Sequence, residues 1–425
     1  MQITRHFVDV GTRRVHYRRC GDGPPLIMIH QSPRSSAEYA PLMRQWGTQF
    51  TCLALDTPGF GQSDALPGTP DIDDFADALV ATLDALGLDK VAAYGFHSGG
   101  IILVAALKRH PDRFHGLAVG GYAVWTDDEM RVFAESYLPP FQPTAYGEHL
   151  TWLWNRILEQ SWVFPWFDVR DATRLSGAHD DPVKVNDTVM DMLAAGDAYR
   201  AGYGAVLSAP RDVPTPDSVT PPVLITAYDG DPLQAHIDRL GLLPASWLAR
   251  KVATPADQQA ASLAFLAELA QGSCPVLAQA EDEGFVTVTT TDFDGQLHWR
   301  GAHVDLPGFG LSDDWPGTAP ETWAPWQAVI DALDRPVTLE PLPRGGPDKL
   351  YPDFTPDRFG SHLARAWGIA RARALFDPWY AANARHERPI DAATLDPDAL
   401  ARDTLSILRA HAAKAFHIAR QQGGC

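Results

Sequence analysis

Cysteine is scarce in this chain of 425 residues: only Cys20, Cys52, Cys274 and Cys425 occur, widely spaced and never as C-x-x-C. That excludes a disulfide framework and predicts reduced thiols in a cytoplasm. Positive charge is also short, with 35 Lys and Arg against 53 Asp and Glu, for a formal charge of -18. Nucleic acid and anionic membrane would be repelled, so neither is expected as a partner, and the acidity reads as a solubility device. No apolar run is long enough to span a bilayer. The first 21 residues lack an apolar signal core and alternate like a strand pair (Phe7, Val8, Val10, then Val15, Tyr17), so a soluble, unexported protein is expected. Metal-ligand spacings and cofactor motifs are missing too. A metal held by His97, His30 and Asp231 has no motif behind it, and neither metal nor cofactor is expected.

What is present is a strand-helix rhythm. Buried-strand runs at 25–30, 51–56, 90–94 and 116–119 alternate with helical patterns at 37–46, 72–86 and 101–110. This implies an α/β fold with a doubly wound, mainly parallel sheet. From about 126 the rhythm gives way to a tryptophan-rich helical stretch (Trp152, Trp154, Trp162, Trp166) that runs to about 208, and a further strand follows at 222–227. A helical insertion there is placed like a lid over a pocket.

The strand at 90–94 leads into Gly95-Phe96-His97-Ser98-Gly99-Gly100, a Gly-x-nucleophile-x-Gly elbow with histidine at its centre. A rival register centres Ser98 but places Phe96 where the turn needs a glycine. Three further motifs accompany it: His30-Gln31-Ser32-Pro33 after the strand at 25–30, Asp56-Thr-Pro-Gly-Phe-Gly-Gln-Ser63, and Asp231 in Asp229-Gly-Asp-Pro232. Together they resemble the α/β-hydrolase superfamily, in its dehalogenase, epoxide-hydrolase and C-C hydrolase neighbourhood, over roughly residues 1 to 270. The resemblance implies an oxyanion loop at His30-Gln31, with Gln31 in place of the usual glycine, and a triad acid at Asp231.

Two departures bear on the chemistry. Histidine stands where the nucleophile belongs, and the stretch 248–257, where the triad histidine should fall, has none. His236 lies too close to Asp231 in sequence to replace it. A Ser-His-Asp relay cannot be drawn, but a His97-Asp231 dyad can, with His97 as general base and the backbone N–H groups of Gln31 and Ser98 as the oxyanion hole. The expected activity is hydrolysis of a small, mostly apolar carbonyl substrate (ester, lactone or C-C bond) without a covalent intermediate. A lyase or isomerase using the same proton transfer is the competing enzyme, and a non-catalytic ligand-binding protein the competing non-enzyme. His30, Arg34, Phe96, Trp154 and Tyr199 are candidates to line the pocket.

The last third repeats the first. Asp56 to Thr69 recurs as Asp305 to Thr318, and Pro139, Phe141, Gly147, His149, Leu150, Trp154, Pro165 and Trp166 recur as Pro352, Phe354, Gly360, His362, Leu363, Trp367, Pro378 and Trp379. Between these blocks the second copy has 336–346 in place of an elbow, and it lacks any counterpart of Asp231. The expected division is 1–125 and 213–272 as the hydrolase-type core, 126–212 as its helical lid, and 273–425 as a degenerate partial repeat with a second lid-like helical segment. That segment is expected to replace or form a dimer contact.

Overall fold

Strands β3 (Pro25–Ile29) and β4 (Thr51–Leu55) are buried at every residue. Such continuous burial is what a sheet covered on both faces demands. A computed structural model, which describes residues 1–423, places them in an eight-stranded sheet with β1 (Thr4–Val10), β2 (Arg13–Cys20), β5 (Val91–Phe96), β6 (Phe114–Gly120), β7 (Val223–Tyr228) and β8 (Trp247–Val252). The order is β1-β2-β4-β3-β5-β6-β7-β8. The pairs β1/β2 and β2/β4 are antiparallel, and all later pairs are parallel.

Helices cover both faces. On one face α1 (Ala40–Trp46) contributes Leu42, Met43 and Trp46 to a core with Leu26, Met28, Ala92 and Tyr94. On the other, α2 (Ile72–Ala85) and α3 (Ser98–Arg109) bury Phe75, Leu79, Leu103 and Leu107 against Ile27, Leu53 and Val91. The Asp71 capping box starts α2, holding the Asp73 and Asp74 N–H groups. The stretch 126–212, expected to be a lid, forms α4 (Asp127–Ser136), α5 (Glu148–Gln160), α6 (Pro182–Ala195) and α7 (Tyr199–Leu207), and α8 (Pro255–Leu269) follows β8. Leu266 of α8 joins the same core as α1.

The chain clusters into two units that cut across the expected boundaries. The first comprises Met1–Phe141, Arg156–His179 and Asp187–Ala280, and the second Gln142–Asn155, Asp180–Asn186 and everything from Glu281 onward. Parts of the expected lid therefore cluster with the repeat. The second unit adds β9 (Glu283–Thr289), β10 (Asp294–Arg300) and β11 (His303–Val304) in an antiparallel sheet, with α9 (Trp323–Asp331), α10 (Pro347–Leu350), α11 (Ser361–Leu375), α12 (Pro397–Leu408) and α13 (Ala413–Gly423).

Internal geometry extends the repeat further upstream than the sequence showed. In the first unit His16 Nδ1 pairs with Asp56 Oδ2 at 2.8 Å, and Ser63 Oγ accepts from the His16 N–H. In the second, His298 Nδ1 pairs with Asp305 Oδ2 at 3.0 Å, and Ser312 Oγ accepts from the His298 N–H. The hairpin β9/β10 thus corresponds to β1/β2. His16 and Asp56 are 40 residues apart, whereas His298 and Asp305 are 7 apart. The second copy therefore lacks counterparts of β3 and α1 as well as of the elbow.

Cys20 and Cys52 lie directly opposite each other on β2 and β4 as buried free thiols, and Cys274 is also free. Cys425 falls outside the described residues.

Candidate active site

The elbow sits at the carboxyl end of β5, between β3 and β6 in the middle of the sheet. His97 has φ 47° and is the only non-glycine residue described with a positive φ. Ser98 is already the first residue of α3, so the turn is centred on His97. A Cβ at Gly95 would stand 2.6 Å from the Gly99 carbonyl carbon, and one at Gly99 would run into the Ile29 carbonyl oxygen. Glycine at both positions lets α3 begin in contact with β3 and β5.

From this turn the His97 ring reaches across to the loop after β7. Its Nε2 lies 3.1 Å from Asp231 Oδ1 and 3.3 Å from Oδ2. The Asp231 side chain is fully buried, and its Oδ1 also accepts the Leu233 N–H at 2.8 Å. An ionised carboxylate only accepts, so Nε2 carries the proton and Nδ1 is left as the basic nitrogen. Nearly a quarter of the His97 side chain is exposed (23%).

Two neighbours hold the ring in place: Phe96, expected among the pocket-lining residues, and Gly121, which sequence reasoning did not assign. The Phe96 ring stacks on it with centroids 4.0 Å apart and planes inclined by 17°. Gly121, with φ 65°, passes so close that a Cβ there would stand 2.7 Å from His97 Nε2 and 3.0 Å from Asp231 Oδ2. Gly120-Gly121 at the end of β6 was the available signal.

The other expected site residues have different surroundings. Ser98 is buried, and its Oγ accepts the Ser32 N–H at 3.0 Å, which ties the hydroxyl into the loop after β3. Gln31 does not supply an oxyanion donor: its N–H donates to Glu38 Oε1 at 2.8 Å and its side-chain amide to Glu38 Oε2 at 3.0 Å. The Ser98 N–H fares better, because the first-turn amides of α3 have no acceptor within the helix. His30 is buried rather than pocket-lining. Its Nε2 accepts the Thr57 N–H at 3.0 Å, so its Nδ1 donates to the Gln31 carbonyl at 2.9 Å and braces the loop.

Arg34 is likewise engaged, its Nε donating to Asp191 Oδ2 at 2.9 Å while Ser35 Oγ donates to Oδ1. Tyr199 is fully buried and donates to the Pro139 carbonyl. Trp154 is not a pocket residue either. It is 1% exposed, and its Nε1 donates to the Arg358 carbonyl at 2.9 Å within the second unit. His236, buried in the turn after β7, accepts the Val124 N–H at Nδ1, and burial holds its pKa down to about 4. Beside it Trp125 packs edge-on at 4.7 Å and continues into an aromatic cluster with Phe133, Tyr137 and Phe164.

With this geometry in view, residues 24–164 match the family model described as the alpha/beta hydrolase fold. Haloalkane dehalogenase 2 of Mycobacterium tuberculosis is 32% identical over 140 residues, 33% of this chain and 49% of that protein. A haloalkane dehalogenase of Sphingobium indicum is 30% identical over 218 residues, 49% of this chain and 68% of that protein. This chain belongs to the α/β-hydrolase superfamily. Among solved structures, epoxide hydrolase A of Mycobacterium thermoresistibile aligns with 66% of this α/β-hydrolase chain and all of its own, at 16% identity and a TM-score of 0.48. The chain spans about half the length of the first curated relatives it matches. Among the described residues, no helix of this superfamily member is long and apolar enough to cross a membrane.

Proposed function

We propose that the chain is a hydrolase that adds water to the carbonyl of a small, mostly apolar ester, lactone or C-C substrate, with His97 as general base and no covalent intermediate. The observation that carries this reading is the 3.1 Å contact from His97 Nε2 to Asp231, which frees Nδ1 for proton transfer. Nδ1 takes a proton from water as the oxygen attacks the carbonyl carbon, and Asp231 stabilises the imidazolium that forms. The developing oxyanion is held by the Ser98 N–H and the positive end of α3. Collapse of the tetrahedral adduct breaks the scissile bond, and the Nδ1 proton passes to the leaving group. The scheme calls on no metal or cofactor. Facing unbridged thiols at Cys20 and Cys52 support a reducing compartment such as the cytoplasm.

A panel of aryl esters and lactones tests this. His97→Ala is expected to lower turnover by about 10²–10⁴-fold, whereas Ser98→Ala leaves most of it. Full activity in His97→Ala, or an acyl adduct in the intact-protein mass spectrum, would overturn the mechanism.

The repeat enters the proposal as an internal substitute for a dimer partner. Its support is a reciprocal contact inside the second unit. Trp154 meets His362 edge-on at 5.3 Å, and the matching Trp367 meets the matching His149 at 4.9 Å.

A further inference from the structure

On the sheet face that carries α1 and α8, a cavity of about 290 Å³ opens in the first unit beside the ends of β5 and β7. Its wall includes Glu38, Tyr39, Tyr94, Phe96, Tyr228 and Gln259. Four of these six side chains are aromatic, and Tyr39 and Tyr94 meet edge-on at 5.7 Å. The one acid, Glu38, is half-buried, and each of its oxygens accepts a single hydrogen bond from Gln31. A carboxylate oxygen has a second lone pair, so both retain acceptor capacity. Burial raises the Glu38 pKa, and the nearby Arg34, which opposes that shift, is itself paired with Asp191. A carboxylate and aromatic side chains lining one cavity, in a protein of net charge -18, suit an organic cation, whose charge the acid neutralises and whose alkyl groups the rings receive. Phe96 has a double position, since it walls the cavity and also stacks on His97.

We propose that this cavity binds a small organic cation of the alkylammonium class, and that Phe96 is the positioning residue through which its occupancy reaches the His97 ring. The binding rests on the cavity alone. Only the link to His97 rests on the catalytic reading, and the two are measured separately.

Calorimetric titration of the full chain with tetramethylammonium chloride, with tert-butanol as the neutral control, tests the site. Saturable binding of the cation and none of the alcohol is expected. Glu38→Gln should weaken binding about tenfold, as for loss of one charge-assisted contact. Gln259→Trp, which plugs the cavity from a half-exposed helix position, should do the same and keeps the test open if Glu38→Gln fails to fold. Absence of saturable binding, equal binding of tert-butanol, or undiminished binding in Gln259→Trp overturns the site. In ¹⁵N spectra the His97 ring signals should shift on saturation in the parent chain and stay in place in Phe96→Leu. Binding that leaves the parent signals unmoved overturns the positioning role.

Discussion

At the scale of single residues, His97 is held against its own preference. A side chain at φ 47° costs about 1–3 kcal/mol, a cost the surrounding turn must offset. Glycine takes this backbone freely whereas alanine keeps the strain, so His97→Gly should unfold at higher urea than His97→Ala, by about 1 kcal/mol. The reverse order would mean that the turn is not strained. Both variants should lose activity alike. The central position was legible in the sequence because Gly95 and Gly99 bracket it. The stacking of Phe96 and the approach of Gly121 were not, because neither leaves a spacing pattern; they depend on where β6 ends beside β5. Gln31 misled for a related reason. Its partner Glu38 lies seven residues on, across a loop where no periodicity indicates which amide is turned where.

Among the elements, the short turn after β7 links stability to pH. Burial lowers the pKa of His236 to about 4, and His6 and His149 likewise. These rings are neutral in the folded chain, while in the unfolded chain they titrate near 6.5. Between pH 6.5 and 4 the unfolded state therefore binds more protons, and stability falls as the pH is lowered through that window. Urea midpoints measured from pH 7 to pH 4.5 should decline, and His236→Asn should flatten the decline. A slope identical to that of the parent would remove His236 from the account.

The central strands were readable because β3 and β4 are apolar throughout. Edge strand β8 was not, since Trp247–Val252 buries only Trp247 and exposes Leu248, Arg250 and Lys251. Helix α3 also begins at Ser98, three residues before the apolar pattern that starts at Ile101. Ser98-Gly99-Gly100 are weak helix formers, retained because Gly99 must pass the Ile29 carbonyl.

For the whole molecule, the sequence match between the two parts of the chain has a counterpart in side-chain packing within the second unit. Trp154 and Trp367 occupy matching places: 1% and 2% exposed, each edge-on to the other copy's histidine, and each against the other copy's glycine, Gly360 and Gly147. Replacing either by alanine should cost about 3–5 kcal/mol, and the two losses should be similar. Calorimetric melting of both variants checks this, and a strongly unequal pair would show that the correspondence is one of sequence only. The two sides have nevertheless diverged in their polar partners. His149 accepts from the Thr144 N–H, whereas His362 pairs with Asn186.

Such a contact between separate molecules would dissolve on dilution. Here Trp154 and His362 belong to one polypeptide, so their encounter is governed by a fixed effective concentration rather than by how much protein is present. The Trp154–His362 contact therefore forms at the same rate in dilute and in concentrated protein.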